Sequence, residues 1–239
     1  MANRRILMVV PHPDDAELSC AASVARWVRE GDTAILVVAT DGARGGKYQG
    51  AVQDTVVETR RAEQRQAAAV VGFEEVRFLG FPDGELDDGP DLRGALVEQI
   101  RQLRPDVALI LDPLTVIYRN SYVNHRDHRM LGMAMLDALY PEASNAGFFP
   151  EQLERGLEIH KVPELLLANS AEPNYAVDVT ETLEVRFDAL RRHESQLRLW
   201  PGNGEAVIEQ QRRLAAVLGE EYGMRYAELF RRVVVNPLS

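Results

Sequence analysis

Arg5-Ile6-Leu7-Met8-Val9-Val10-Pro11-His12-Pro13-Asp14-Asp15-Ala16-Glu17 is the stretch on which the fold turns. Ile6 to Val10 is an unbroken apolar run rich in β-branched residues, as expected of a strand covered on both faces in a parallel sheet. Pro11 ends the run, and a helix is due to start at about Asp15 or Ala16. Downstream, Leu18, Ala21, Ala22, Val24, Ala25 and Val28 recur at helical spacing, and Gly31 stands where a helix C-cap belongs. Ala34 to Ala39 is a second apolar run, which completes a βαβ unit.

The rhythm continues outward from that unit. The pattern predicts a helix across Val56 to Val71 capped by Gly72, a strand at Val76 to Leu79, a helix across Leu92 to Leu103 and a strand at Val107 to Leu111. A helix across about Met130 to Leu139 follows. Such alternation implies right-handed crossovers and an α/β fold: a Rossmann-like, doubly wound, mostly parallel sheet with its crevice beyond the carboxyl ends of the strands. Pro141 to Pro150 reads as a loop. Strands at Leu165 to Ala168 and Ala176 to Val179, helices at about Leu183 to Leu197 and Ala206 to Leu218, and a strand at Val233 to Val235 make a C-terminal α+β elaboration. One domain over residues 1–239 is expected, with its core in about 1–140 and the elaboration in about 141–239.

Composition narrows the function. The 239 residues are 46% hydrophobic and 27% charged, enough to bury a sizeable core. A net charge of -10 argues against a non-specific nucleic-acid or anionic-membrane surface and favours small-molecule partners. Cys20 is the single cysteine, so no intrachain disulfide or thiolate cluster can form, a reducing compartment is expected, and any metal must use His and carboxylate. The N-terminal apolar run is too short for a signal peptide, and no stretch approaches the roughly 18 apolar residues of a membrane span; the expectation is a cytoplasmic protein.

Two clusters carry the chemistry. Pro11-His12-Pro13-Asp14-Asp15 lies at the carboxyl end of the first strand, where His12 and Asp15 can converge on one cation while Asp14 projects beside them as a free base. A capping Asp would explain one acid, but neither the His nor the second acid. His125-Arg126-Asp127-His128 opens a later helix at the same sheet edge. His125 and His128 share a face, so one can ligate while the other reaches a substrate, and Asp127 can orient either imidazole. His12, Asp15 and His128 then make a site of two His and one carboxylate, whose open fourth position fits a catalytic zinc.

These motifs resemble the LmbE-like, or PIG-L, zinc-dependent N-deacetylases, a family that includes enzymes of bacillithiol and mycothiol synthesis. Besides the two clusters, the resemblance rests on Ala39-Thr40-Asp41-Gly42-Ala43-Arg44-Gly45-Gly46 after the second strand. Weaker echoes are Arg60 to Glu63, Pro82-Asp83-Gly84-Glu85-Leu86, and Val177 to Thr180 with His193-Glu194-Ser195-Gln196. Arg126 stands where the family commonly has Pro. The resemblance implies one zinc per chain, or another divalent ion such as ferrous iron, held by His12, Asp15 and His128 with water in the remaining place. Asp14 would be the general base, and a protonated His125, kept charged by Asp127, would stabilise the oxyanion. The leaving amine would take its proton from Asp14 or His125. The implied substrate is an N-acetylglucosamine-type amino sugar or glycoside that loses its acetyl group; the runner-up is amide cleavage on a mycothiol-type S-conjugate. Homo-oligomerisation is also implied.

For substrate contacts the resemblance points to Arg60 and Asp83. Read as residues alone, Arg60 fits a solvated salt-bridging face and Asp83 an ordinary turn. The Asp41 to Gly46 loop lacks phosphate-loop spacing and suggests close backbone approach at the crevice, with Lys47 and Tyr48 able to reach a substrate. His160 reads as structural or exposed, His193 as an exposed helical residue, Trp27 and Trp200 as core or interface residues, and Cys20 as packing. A receiver-like domain would want a late lysine and half this length. A magnesium phosphatase would want all-oxygen ligands. A non-catalytic metal-binding protein would want a closed four-ligand site.

Overall fold

The computed structural model describes residues 3–45, 53–118, 120 and 122–235. Its strands begin with β1 (Arg5–Val10), β2 (Thr33–Thr40), β3 (Glu75–Phe81) and β4 (Val107–Leu111). Between and after them run the helices α1 (Asp15–Ser19), α2 (Ala21–Arg29), α3 (Gln53–Val71), α4 (Pro90–Leu103) and α5 (Arg126–Asp137), with a short hairpin β5 (Ile117–Tyr118) and β6 (Tyr122–Val123) before α5. The C-terminal part adds α6 (Pro150–Glu154), β7 (Glu164–Ala168), β8 (Tyr175–Asp178), α7 (Leu183–Leu190), α8 (Glu194–Leu197), α9 (Glu205–Glu221) and β9 (Ala227–Val234).

Seven strands form one sheet in the order β3-β2-β1-β4-β7-β9-β8. β1, β2, β3, β4 and β7 pair in parallel, while β9 is antiparallel to both of its neighbours. The architecture is the mostly parallel α/β sheet that the alternation implies, and the elaboration extends the same sheet. Helices cover both faces. Ile6, Met8 and Val10 of β1 join one buried cluster with α2 and α7, and Leu7 and Val9 join the other with α4 and α5. That pleat, buried on both sides, is why β1 is apolar without alternation.

Several boundaries differ from the sequence reading, and three of the differences have a plain structural reason. The first helix is broken at Cys20, whose φ of -152° leaves the helical region, so α1 and α2 are separate helices. The helix expected over Leu183 to Leu197 is α7 and α8, separated at His193. The last strand starts at Ala227, six residues earlier than its β-branched end suggests, because Ala227, Glu228 and Phe230 are buried between β7 and β8. Gly31 has φ 103°, a left-handed conformation suited to a helix end.

The chain runs from β1 outward to β2 and β3, then returns to β4 on the other side of β1. That reversal makes the carboxyl ends of β1 and β4 the topological switch point, the default crevice of an open α/β sheet. Both histidine clusters are attached there.

Candidate active site

The turn after β1 is fixed before any ligand is considered. The Pro11 carbonyl accepts the N–H of Thr40 at 2.9 Å and its hydroxyl at 2.8 Å, which ties the turn to the end of β2. Asp14 adopts φ 99° and ψ -19°, a left-handed conformation that costs a residue with a Cβ on the order of 1 kcal/mol or more. Its N–H donates to Gln64 Oε1 at 2.9 Å, and its carbonyl accepts from Leu18 N–H at 2.9 Å in α1. Arg60 donates to Gly42 O at 2.7 Å and Pro13 O at 2.6 Å and lies 3.2 Å from Asp14 Oδ2.

The second arm is shaped by Asp112 and Asn124. Asp112 accepts from Leu114 N–H and the Thr115 hydroxyl, while the Asn124 amide donates to the carbonyls of Asp112 and Thr115. This closed loop delivers His125 to the N-cap of α5, where its Nδ1 accepts the Asp127 N–H at 3.2 Å.

The two arms meet. Ring centroids of His12, His125 and His128 lie 5.0, 5.5 and 5.6 Å apart. Asp15 contacts two of them, Oδ2 at 3.0 Å from His12 Nδ1 and Oδ1 at 3.2 Å from His128 Nε2. On the far side of His12, Nε2 lies 3.1 Å from Asp127 Oδ2 and 3.2 Å from Asp83 Oδ1. Asp127 also accepts the N–H of Gly84 at 2.7 Å and of Leu86 at 3.3 Å, and Asp83 accepts that of Arg44 at 2.9 Å.

Electrostatics follow from these contacts. Burial would lower the pKa of His12, but Asp127, Asp15 and Asp83 overcome it and push it up to about 12. Burial would raise Asp15, yet the two imidazoles hold it well below the usual carboxylate range. Asp14 goes the other way: burial, with help from Asp15, lifts it to about 6 against the pull of Arg60, His193 and His12. His125 is lowered by burial and by the charge on His12, with Asp127 opposing.

The donor set fits a divalent cation. Three carboxylates lie within 3.2 Å of the nitrogens of one imidazole, so the site draws positive charge inward. Two groups of three ligand atoms lie within 4.8 Å of one another, His12 with His125 and His128, and His12 with Asp83 and Asp127. The expected trio of His12, Asp15 and His128 is joined through the Asp15 carboxylate. Mixed imidazole and carboxylate donors suit zinc or ferrous iron better than magnesium.

Several expected roles are reassigned by the geometry. The Asp127 carboxylate turns to His12 rather than to His125, because the N-cap position of His125 uses the Asp127 backbone instead. The Asp127 carboxylate thus acts on His125 only through its charge, and burial lowers the imidazole's pKa nonetheless. Arg60 is 3% exposed, and its guanidinium is turned inward to the main chain under Asp14, so it does not lie on a solvated face. Asp83 is buried against His12, more than a turn residue. His193 is 0% exposed, not an exposed helical residue. His160 meets the Pro105 carbonyl at 2.8 Å, and Trp27 and Cys20 are in the core. Lys47 and Tyr48 lie outside the described residues. Gly42 and Gly45 of the second loop do bring backbone close, while Gly46 lies outside the described residues. At Gly42, φ 67°, a Cβ would stand 2.9 Å from Arg60 Nη1 and 3.0 Å from Pro13 Cδ.

Both arms fall within residues 7–139, which match the family described as PIG-L: GlcNAc-PI de-N-acetylase. The chain belongs to the PIG-L family. The diacetylchitobiose deacetylase of Thermococcus kodakarensis is 30% identical over 96% of this chain and 83% of its own. The solved N,N'-diacetylchitobiose deacetylase from Pyrococcus horikoshii superposes with a TM-score of 0.87 at 26% identity, over 99% of this chain and 88% of that one. The 4-carboxy-2-hydroxymuconate hydratase GalB of Pseudomonas putida KT2440 shares the fold with a TM-score of 0.78 over 99% of this chain and 98% of its own, at 18% identity. The fold of the PIG-L enzymes thus also carries an enzyme whose name denotes other chemistry, and function must be argued from the site.

Beyond the residues expected of a PIG-L protein, the structure adds Gln64 and Glu17 behind Asp14. Glu17 sits in the opening motif, and Gln64 lies one helical turn from Arg60 on α3; that spacing is the one sequence signal that both face the same turn.

Proposed function

We propose that this protein is a metal-dependent N-deacetylase that removes the acetyl group from an N-acetylglucosamine-type amino sugar or glycoside. The observation that carries the reading is the meeting of imidazoles from two separate arms, ring centroids 5.0 to 5.6 Å apart, around the Asp15 carboxylate, with the buried Asp14 next to it in the same turn.

His12, Asp15 and His128 would hold the ion, with Asp127 and Asp83 orienting His12 from its other nitrogen. A bound zinc or ferrous ion would polarise the amide carbonyl and lower the pKa of water. Asp14 takes the proton of the attacking water as its oxygen bonds to the carbonyl carbon. His125 accepts a backbone N–H at Nδ1, which leaves its proton on Nε2 for donation to the developing oxyanion. Asp14 then returns its proton to the amide nitrogen, the C–N bond breaks, and acetate and free amine are released. A neutral His125 donating in this way does not require Asp127 to keep it charged.

Acetate release from a panel of N-acetylglucosaminides, with metal-loaded and chelator-treated protein beside Asp14→Asn, tests the reading. Release by the loaded wild type, lost on chelation and in Asp14→Asn, is expected. No release from any N-acetylated sugar by loaded protein would overturn it.

A further inference from the structure

Three polar side chains form a continuous buried row behind Asp14. Gln64 on α3 accepts the Asp14 N–H through Oε1 at 2.9 Å and donates through Nε2 to Glu17 Oε1 at 3.0 Å. His193, in the break between α7 and α8, places Nε2 3.3 Å from the other oxygen, Glu17 Oε2. Gln64, Glu17 and His193 are each 0% exposed. The row therefore joins α1, α3 and the start of α8 through the interior and ends on the one residue of the opening turn that is in the left-handed region.

The chemistry of the row makes it directional. An amide side chain can accept from a backbone N–H through its oxygen only if it is not flipped, and Glu17, an acceptor at both oxygens when ionised, compels Gln64 to present its NH₂ to it. His193 donates to the second oxygen in the tautomer that carries its proton on Nε2. Each member thus fixes the orientation of the next, and the last one grips the peptide of Asp14. Among the described residues no hydrogen bond joins a member of the row to the histidines of the two arms.

We propose that His193, Glu17 and Gln64 are positioning residues that hold Asp14 in its left-handed conformation, and so aim the carboxylate that acts as base. The role rests on the deacetylase reading for its kinetic consequence, but its structural consequence does not. A residue with a Cβ relaxes from φ near 99° unless the surroundings over-determine it, and Gln64 supplies the bond that its amide loses on relaxation. A displacement of the base of about 1 Å is enough to cost on the order of 100-fold in rate.

The test compares Gln64→Met, which keeps length and burial but cannot accept the N–H, with Glu17→Gln and Glu17→Met. Glu17→Gln can still accept from Gln64 and donate to a neutral His193, so it preserves the row without the charge. In metal-loaded protein, Gln64→Met and Glu17→Met should lower kcat by about 10–100-fold with KM and metal stoichiometry unchanged, and Glu17→Gln should restore most of the rate. A crystal structure of Gln64→Met should show residue 14 out of the left-handed region, whether or not any sugar tried is a substrate. Wild-type kcat in Gln64→Met, a loss that appears in KM or metal content, or an unchanged φ at residue 14 would each overturn the proposal. Inactive wild-type protein would instead count against the deacetylase reading and leave the crystallographic outcome to decide this one.

Discussion

Arg60 Nη2 donates to the Pro13 carbonyl at 2.6 Å and stands 3.2 Å from Asp14 Oδ2, so one guanidinium grips both the peptide before the buried acid and the acid itself. A third contact, to Gly42 O at 2.7 Å, ties the turn after β1 to the loop after β2. The planar fork reaches three acceptors that a lysine ammonium cannot span.

Arg60→Lys should therefore behave as a loss rather than a conservative change. Removing one partner of a buried ion pair, as Arg60→Ala does, costs about 3–5 kcal/mol, Arg60→Lys keeps the charge but loses the fork and should cost less, and each kcal/mol lowers the melting temperature of a chain this size by roughly 2–4 °C. Thermal unfolding of Arg60→Lys and Arg60→Ala checks this. A melting temperature equal to wild type in Arg60→Lys would refute the holding role.

Gly42→Ala should destabilise by about 1–3 kcal/mol, because its Cβ would meet the same guanidinium and Pro13 while the backbone keeps a positive φ. Denaturant unfolding measures the cost, and a neutral result would mean that the loop can move away from Arg60.

The pH dependence of stability carries the signature of Asp14. Its folded-state pKa of about 6 lies above its ordinary 3.8, so between those values the native state binds more protons than the unfolded chain. Stability contributed by the bound proton is complete below about pH 4 and is lost as pH rises through about 6, a change of about 3 kcal/mol. Asp14→Asn cannot ionise and lacks that loss. Metal-free Asp14→Asn should gain on metal-free wild type as pH rises from 4 to 7, followed by urea unfolding; parallel curves would remove the elevated pKa.

Activity should move in the opposite sense. On the proposed mechanism rate requires the ionised base, so kcat/KM should fall on the acid side as Asp14 gains its proton, and Asp14→Asn should lose about 100- to 10,000-fold at neutral pH while still binding the ion. Retained wild-type turnover in that variant would eliminate Asp14 as base.

Asp127→Ala should weaken divalent-ion binding by about 10–100-fold, since the carboxylate fixes the His12 ring from Nε2 while Gly84 and Leu86 fix the carboxylate. Competition against a chromophoric chelator reads the affinity directly. Unchanged affinity would show that the contact with His12 does not order the ligand.

The fold was legible where the chain is periodic. Ile6 to Val10, Ala34 to Ala39 and Val107 to Leu111 are buried on both faces and announce themselves as apolar runs, and their alternation with helices fixes the parallel order. β9 was only partly legible, since Arg231 and Arg232 interrupt its apolar pattern, and one of them, Arg232, pairs with Glu164 on β7. Among the described residues no helix is long and apolar enough to cross a membrane, in line with the hydropathy reading.

Local pattern along the chain is enough to say which residue types stand at the carboxyl ends of β1 and β4, because strand ends and helix starts are matters of periodicity and capping. It therefore placed His12, Asp14, Asp15, His125, Asp127 and His128 at one crevice. Which side chain touches which came from packing alone: that Asp127 serves His12, that Arg60 turns inward, and that His193 lies buried against Glu17. The reason is physical. Long-range side-chain pairing depends on how helices distant in the chain pack across the sheet, and a polar residue on a helix carries no local mark of whether water or another buried group will satisfy it.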